Sequence, residues 1–419
     1  MTGWLISSLA WGFCGTYVGP VGDTPTNQES RIVLVHEGNE TVLTMTSDAR
    51  NAGEDFGLVM PVPVDLEIGD ITAPLLGSAW SDLDAFSAPR VVSYTCETLF
   101  ASGSSMSSST GGCGGGADKT SPSSEPESSV LEQTDATVEV LGVATVGAYE
   151  LTLLRAQEGD SLQGWLTERG FAVPGDAAPI LDDYVTEGVH FLAARVALPD
   201  DHARAWLPPL QLRYPYRSLD LPLRLGATNA TESQDLTVWV IGDAADGEAQ
   251  QLTFADSEVE TECMPKGGTT ALEVLDESLD EALEQDGDGV AVVEYSWPTQ
   301  QKCDPCPPGP AAEPATFLRA FGRVDTNAHI TRLHLRYDPL AVTDDLHLGY
   351  TRTFRNHQLR YIEHLDELEA SFPICFDGMA SSPAGTCDAD APEQASVPWW
   401  TLLGLPLLGW GLGRRSRRG

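Results

Sequence analysis

Apolar and polar positions fall into short blocks along most of the chain, and most of the blocks read as strands. Arg31-Ile-Val-Leu-Val-His36 and Thr41-Val-Leu-Thr-Met-Thr46 flank Glu37-Gly-Asn-Glu40, the pattern of a hairpin with a four-residue turn. Residues 55–61 continue in the same way, and Pro61-Val-Pro63 ends any ladder that follows, because proline has no amide hydrogen to donate. A short helical signal over 79–85 precedes a strand at 90–95, and strands at 137–146 and 149–154 form a second pair. Asp160 is placed to cap a helix over 161–168, with Leu162, Trp165 and Leu166 on one face and Gly170 stopping it. A second helix over 177–187 carries the stripe Ile180, Leu181, Tyr184 and Val185, and Gly188 separates it from a strand at 189–196. Further strands are expected at 208–216, 221–226 and 235–241. Leu272, Leu275, Leu279 and Leu283 predict an amphipathic helix over 271–283. Asp286-Gly-Asp-Gly289 then turns into a strand at 290–295, followed by a helix at 315–320 and a strand at 328–337. The expected fold class is α+β: β-rich mixed sheets with a few short packed helices, plus a C-terminal transmembrane-like helix.

Composition interrupts this pattern at residues 101–136, which are rich in Ser, Gly and Pro and read as a disordered linker or insertion. Their glycines do not make a nucleotide loop, since Lys119 is followed by Thr120 with neither a Gly-Lys pair nor a preceding apolar strand.

Charge narrows the function classes. The chain carries 24 Lys and Arg against 62 Asp and Glu, a formal net charge of −38. Such a field repels phosphate backbones, so no nucleic-acid partner is expected. Acids concentrate between 256 and 288, where Lys266 is the sole basic residue, and a solvated acidic helix face is the plain reading. Calcium is the competing cofactor reading: Glu284-Gln-Asp286-Gly-Asp288-Gly289 echoes the start of a calcium loop, although Tyr295 falls where the bidentate acid belongs.

The termini read as addresses. Residues 1–13 are uncharged and apolar, with Ser8-Leu9-Ala10 suited to cleavage of a signal peptide. Near the other end, residues 395–413 form an uncharged apolar stretch with Trp399, Trp400 and Trp410. It is followed by the basic stop Arg414, Arg415, Arg417 and Arg418. These features predict an exported protein at the cell envelope or surface, single-pass or sorted through its C-terminal tail, with the membrane as a partner.

Chemistry-bearing residues are sparse. Cys14, Cys96, Cys113, Cys263, Cys303, Cys306, Cys375 and Cys387 suit structural disulfides in an oxidising compartment, with Cys96–Cys113 and Cys375–Cys387 as local pairs. Cys303-Asp-Pro-Cys306 also has the spacing of a redox dithiol or half a zinc site. The surrounding prolines oppose the helix a redox pair needs, and no second close pair completes a zinc site. His329 and His334, five apart, fall on opposite faces of a regular strand. No Ser-His-Asp or Cys-His arrangement emerges from spacing, and Asp344 with Asp345 lacks a partner acid at glycosidase separation. Catalytic residues are therefore unassigned.

These readings give eight segments: signal peptide 1–13, β-rich unit 14–100, linker 101–136, α+β unit 137–255, acidic helix and strand unit 256–350, extension 351–394, transmembrane or sorting helix 395–413 and basic cytoplasmic tail 414–419.

Several pieces occur in a familiar order: Asn27-Gln-Glu-Ser-Arg-Ile-Val33, Glu54-Asp-Phe-Gly-Leu-Val-Met-Pro-Val-Pro63, Ala178-Pro-Ile-Leu-Asp-Asp-Tyr184, residues 190–194, Cys303-Asp-Pro-Cys306 and Ile330-Thr-Arg-Leu-His-Leu-Arg-Tyr337. Over about residues 14–350 the chain resembles the bacterial family known as domain of unknown function 2330. The resemblance implies an exported protein of myxobacterium-like bacteria and supplies no catalytic or ligand residues. Relatives show a stronger signal peptide and a richer Cys-Gly-Gly start than Phe13-Cys-Gly-Thr16. The ending separately resembles a myxobacterial sorting tag, with Cys387 as its nearby cysteine. The function expected is a non-enzymatic structural or binding component of the envelope. A secreted hydrolase with a site not visible in sequence and a calcium-stabilised adhesion module are the alternatives.

Overall fold

A computed structural model describes residues 15–20, 25–52, 55–92, 94–96, 137–197, 204–216, 218–257, 264, 270–301, 313–362, 375–376, 379–380 and 387–389. The run Ile32-Val-Leu-Val35 is apolar at every position because its strand, Glu29–Glu37, is buried on both faces. Ile32 and Leu34 face a second sheet, whereas Val33 and Val35 face helices. The hairpin to Glu40–Arg50 closes on Gly38 and Asn39, tighter than the four-residue turn expected. Glu37 stands opposite Glu40, and Gly38 at φ +66° makes the left-handed bend.

A ten-stranded mixed sheet and a five-stranded antiparallel sheet hold most of the strands. The central run of the larger sheet is Gly289–Pro298, Ala328–Tyr337, Gln234–Asp243, Glu29–Glu37, Glu40–Arg50 and Leu210–Pro215, with Gln234–Asp243 and Glu29–Glu37 parallel. The smaller sheet runs Thr16–Val18, Asp55–Val62, His190–Ala197, Tyr149–Ala156 and Val138–Val146. Their inner faces share one core, in which Phe56, Leu58, Leu151 and Leu192 meet Leu34, Leu43, Val238 and Leu335. Helices cover the outer faces, giving four layers.

On the small sheet lie α2 (Gly159–Glu168) and α3 (Ala177–Glu187), whose Leu162, Trp165, Leu181 and Tyr184 pack on Val59, Leu154 and Phe191. On the large sheet, α1 (Ala79–Ser87) and α6 (Pro314–Ala320) cover Trp239, Ile241 and Ile330. The remaining large-sheet helix, α5 (Ala271–Asp286), covers Val290 and Val292. A capping box between Thr270 and Glu273 starts α5, and Gly287 at φ +85° ends it. Its buried residues are Val274, Leu275 and Leu279, and Leu272 of the expected leucine stripe points outward.

Most element predictions hold, with one change of type. Residues 221–226, read as a strand, contain part of the single-turn helix α4 (Arg224–Ala227). The Asp345 carboxylate accepts from the amides of Leu223 and Arg224, so the turn is set by a residue distant in sequence.

The α+β class with mixed sheets and short helices is found, and the transmembrane-like helix is not. Among the described residues the longest helix is α5, which is strongly acidic, and none is long and apolar enough to cross a membrane. Residues 395–413 and Arg414, Arg415, Arg417 and Arg418 lie outside the described residues, as does the segment 1–13. The single-pass anchoring and the membrane partner drawn from the tail are corrected accordingly.

The disulfide framework is corrected too. Cys14, Cys113, Cys263, Cys303 and Cys306 lie outside the described residues. Strand pairing sets Cys375 opposite Ala380 rather than Cys387, and Cys387 opposite Cys96, so the expected Cys375–Cys387 staple does not follow from the backbone, while Cys113, the expected partner of Cys96, lies outside the described residues.

Candidate functional site

Among the described residues, those singled out from sequence do not assemble into a centre for metal or covalent chemistry. Within the acidic stretch, Asp276 and Asp280 pair with Arg336, and Glu273 serves the helix cap. Among the described residues, no group of three or more His, Cys, Asp or Glu is placed to hold a metal ion, so the calcium-stabilised module is corrected. Asp345 is a buried hub. It accepts from the Tyr184 hydroxyl at 2.7 Å and the Leu223 amide at 2.9 Å, which gives it a positioning role rather than a glycosidase geometry. A hydroxyl–imidazole pair does exist, with Ser296 Oγ 2.9 Å from His329 Nε2. Both residues are at most 1% exposed, and His329 Nδ1 has no hydrogen-bond partner, so neither access nor an orienting acid supports nucleophilic catalysis there. Among the described residues, this pair gives the secreted-hydrolase alternative no support.

The opposite face of the same strand carries Arg332, His334 and Arg336. A β-bulge between Val293 and Tyr295 leaves Glu294 as the extra residue beside them. The fully buried Glu294 carboxylate lies 2.6 Å from Arg332 Nε and 2.7 Å from His334 Nδ1, and Asp235 faces His334 Nε2 at 3.3 Å. Burial alone would raise the Glu294 carboxyl and lower the His334 imidazole. The neighbouring charges win: Glu294 is held below its ordinary range, and His334 is raised to about 9 by Asp235 and Glu294. Asp84 from α1 meets Arg332, and Asp276 and Asp280 from α5 meet Arg336, so the cluster fastens two helices to the sheet.

Concavity and converging polar groups occur together on the outer face of the small sheet. There a groove of about 140 Å³ opens to solvent. Its floor is shallow-chained: Gly57, Thr152 and Ala193 come from three neighbouring strands. Val18, Val59, Trp165, Leu166 and Phe171 form apolar walls.

The wall is built by the end of α2. After Glu168 the chain turns through Gly170 at φ +87°, and the Phe171 amide returns to Leu166 O at 3.0 Å. The next amide, of Ala172, donates to Gly19 O at 2.9 Å and ties the turn to the end of the strand Thr16–Val18. Phe171 can then lie close over the strand because position 57 is glycine. A Cβ there would fall 2.8 Å from Val18 Cγ2 and 3.4 Å from Phe171 Cε1.

Two arginines stand at this groove. Arg169 places its guanidinium 3.7 Å from the Trp165 ring centre and donates through Nη1 to Trp165 O at 3.1 Å. Partial burial lowers its pKa, and Glu168 works against that shift. Arg195 lies 5.8 Å from the Phe171 ring and directly opposite Glu150 across paired strands. Sequence reasoning passed over all three charged residues. The available signal was alternation: in His190–Ala197, Phe191 and Ala193 belong to the outward set, and Arg195 follows at the next outward position.

Three comparisons place the chain among known proteins. A family model described as an uncharacterized protein conserved in bacteria, DUF2330, matches residues 9–349. The match stops short of the tail, and nothing found supports the sorting tag read there. No curated protein matches. A crystal structure of baculovirus P35 aligns over 78% of this chain and 97% of its own at 7% identity, with a TM-score of 0.25, too slight a likeness to carry an argument. Nothing in these matches supports the exported envelope component expected from the termini.

Proposed function

We propose that this chain, which belongs to the DUF2330 family of uncharacterized bacterial proteins, binds a small organic ligand in the groove between α2 and the small sheet. The observation that carries the reading is the lining itself. Apolar and aromatic walls surround a small-residue floor, and Glu150, Thr152, Arg169 and Arg195 supply a few polar groups. Ligand sites generally combine an apolar body with sparse, fixed polar contacts. The core beneath supplies rigidity, because Leu58, Leu151 and Leu192 on the other face of the same strands are buried against the large sheet.

The test fills the groove without removing any contact. Ala193→Leu adds bulk at the floor on a strand paired on both sides. Fluorescence of 1-anilinonaphthalene-8-sulfonate, an anionic aromatic probe, is expected to rise on binding the native chain and to lose most of that rise in the variant, with both proteins melting cooperatively. Equal enhancement by the two proteins would refute the assignment.

A further inference from the structure

We infer that the ligand of this groove is a monocarboxylate on an apolar body, a step that rests on the groove being the binding site. Of the lining residues, Glu150, Arg169 and Arg195 are the charged ones, and together they leave one positive charge in excess. Glu150 stands directly opposite Arg195 across the sheet, so the positive charge not matched within the lining falls at Arg169. That guanidinium is already engaged on one face by Trp165 and through Nη1 by the Trp165 carbonyl. It retains edge donors suited to the planar fork of a carboxylate. Partial burial lowers its pKa, and an anion alongside would offset that cost of desolvation.

The rest of the lining limits what else the ligand can carry. Val18, Val59, Trp165, Leu166 and Phe171 offer no hydrogen-bonding side chain for a second charge, apart from the indole N–H. A second carboxylate would lie against these walls or beside Arg195, where Glu150 stands directly across the strands, and either position is unfavourable. The chain as a whole carries a formal charge of −38, a field that selects further against polyanions. A neutral ligand of the same shape would fill the apolar walls and leave Arg169 as it is. The discrimination therefore rests on one charge-assisted contact, which is commonly worth about 10- to 100-fold in affinity.

Calorimetric titration of the full chain tests this with octanoate and 3-phenylpropionate as monocarboxylates, octan-1-ol as a neutral control and octanedioate as a dianion. Both monocarboxylates are expected to bind about 10-fold or more tighter than the alcohol and the dianion. Binding of just one would support the charge rule and identify the body as aliphatic or aromatic. Arg169→Gln is expected to weaken octanoate about 10-fold while leaving octan-1-ol unchanged, and Arg169→Lys to restore part of the loss. Glu150→Gln, which makes the lining more positive, is expected to narrow the gap between octanedioate and octanoate. Should octan-1-ol match octanoate, and both lose binding in Ala193→Leu, the groove would stand as the site and the monocarboxylate assignment would fall. If none of the probes binds, or binding ignores Ala193→Leu, both readings fall.

Discussion

Replacing His334 by glutamine isolates the charge that holds the outer face of the large sheet together. In the native protein, His334 Nδ1 faces Glu294 at 2.7 Å and Nε2 faces Asp235 at 3.3 Å. Both nitrogens must therefore donate, and the ring is an imidazolium. Its pKa is raised to about 9, above the roughly 6.5 of an unfolded histidine. A raised folded pKa stabilises the fold fully below pH ~6.5, and the contribution fades as pH rises through about 9. The two values differ by about 2.5 units, which at about 1.4 kcal/mol per unit gives about 3 kcal/mol for the charged form. The side chain is 18% exposed, so little screening by solvent is expected.

His334→Gln keeps a polar group but cannot carry the charge. Urea unfolding at intervals from pH 6 to 10 is the assay, with the slope m compared at each pH to confirm a two-state transition. The native protein should lose about 3 kcal/mol more than the variant between pH 6.5 and 9, because groups common to both cancel in the difference. A gap between the two stability curves that stays constant across this window would refute the argument.

Other consequences of the packing are open to equally direct measurement. Arg336→Leu removes the cation that meets Asp235, Asp276 and Asp280, and should destabilise the chain by about 3 kcal/mol. Hydrogen exchange over α5 should accelerate more than exchange over α2, and equal effects on the two helices would count against the clamp. Gly188→Ala forces a side chain into the left-handed cap of α3 at φ +81° and should cost about 1–2 kcal/mol in urea unfolding. A neutral result there would mean that the cap relaxes. Tyr184→Phe deletes the hydroxyl donated to Asp345 at 2.7 Å but leaves the Leu223 amide bonded to the same oxygen. The expected loss is about 1 kcal/mol, and a loss of 3 kcal/mol or more would show that Asp345 depends on Tyr184 alone.

Much of this architecture was legible because burial leaves periodic marks. The unbroken apolar run Ile32-Val-Leu-Val35 belongs to a strand covered on both faces, and Ile180, Leu181, Tyr184 and Val185 marked the buried side of α3. His329 and His334 fall on opposite faces, as their odd spacing requires. What escaped depends on contacts between distant residues. The helical turn at Arg224–Ala227 is capped by Asp345, more than a hundred residues later, so local sequence read as a strand. Nothing in the local sequence marks Glu294 as a buried partner of Arg332, because a bulge places it there. The groove was invisible for the same reason. Gly57, Glu150, Arg169 and Arg195 come from separate elements, and nothing in their own neighbourhoods marks them as one lining. Calcium and membrane readings went the other way, since acidic clustering and apolar runs are strong local signals that say nothing about convergence in space.

Indole resonances report on the groove most directly. With the tryptophans 15N-labelled, the Trp165 signal can be assigned by its absence in Trp165→Phe, and the Trp239 signal by its absence in Trp239→Phe. Trp165 lines the groove, whereas Trp239 is buried in the large sheet beneath α1, bonded to Ser87 Oγ at 2.8 Å. Saturating octanoate should shift the Trp165 resonance and leave Trp239 in place. Unchanged Trp165, or equal shifts at both rings, would contradict a ligand site in this groove.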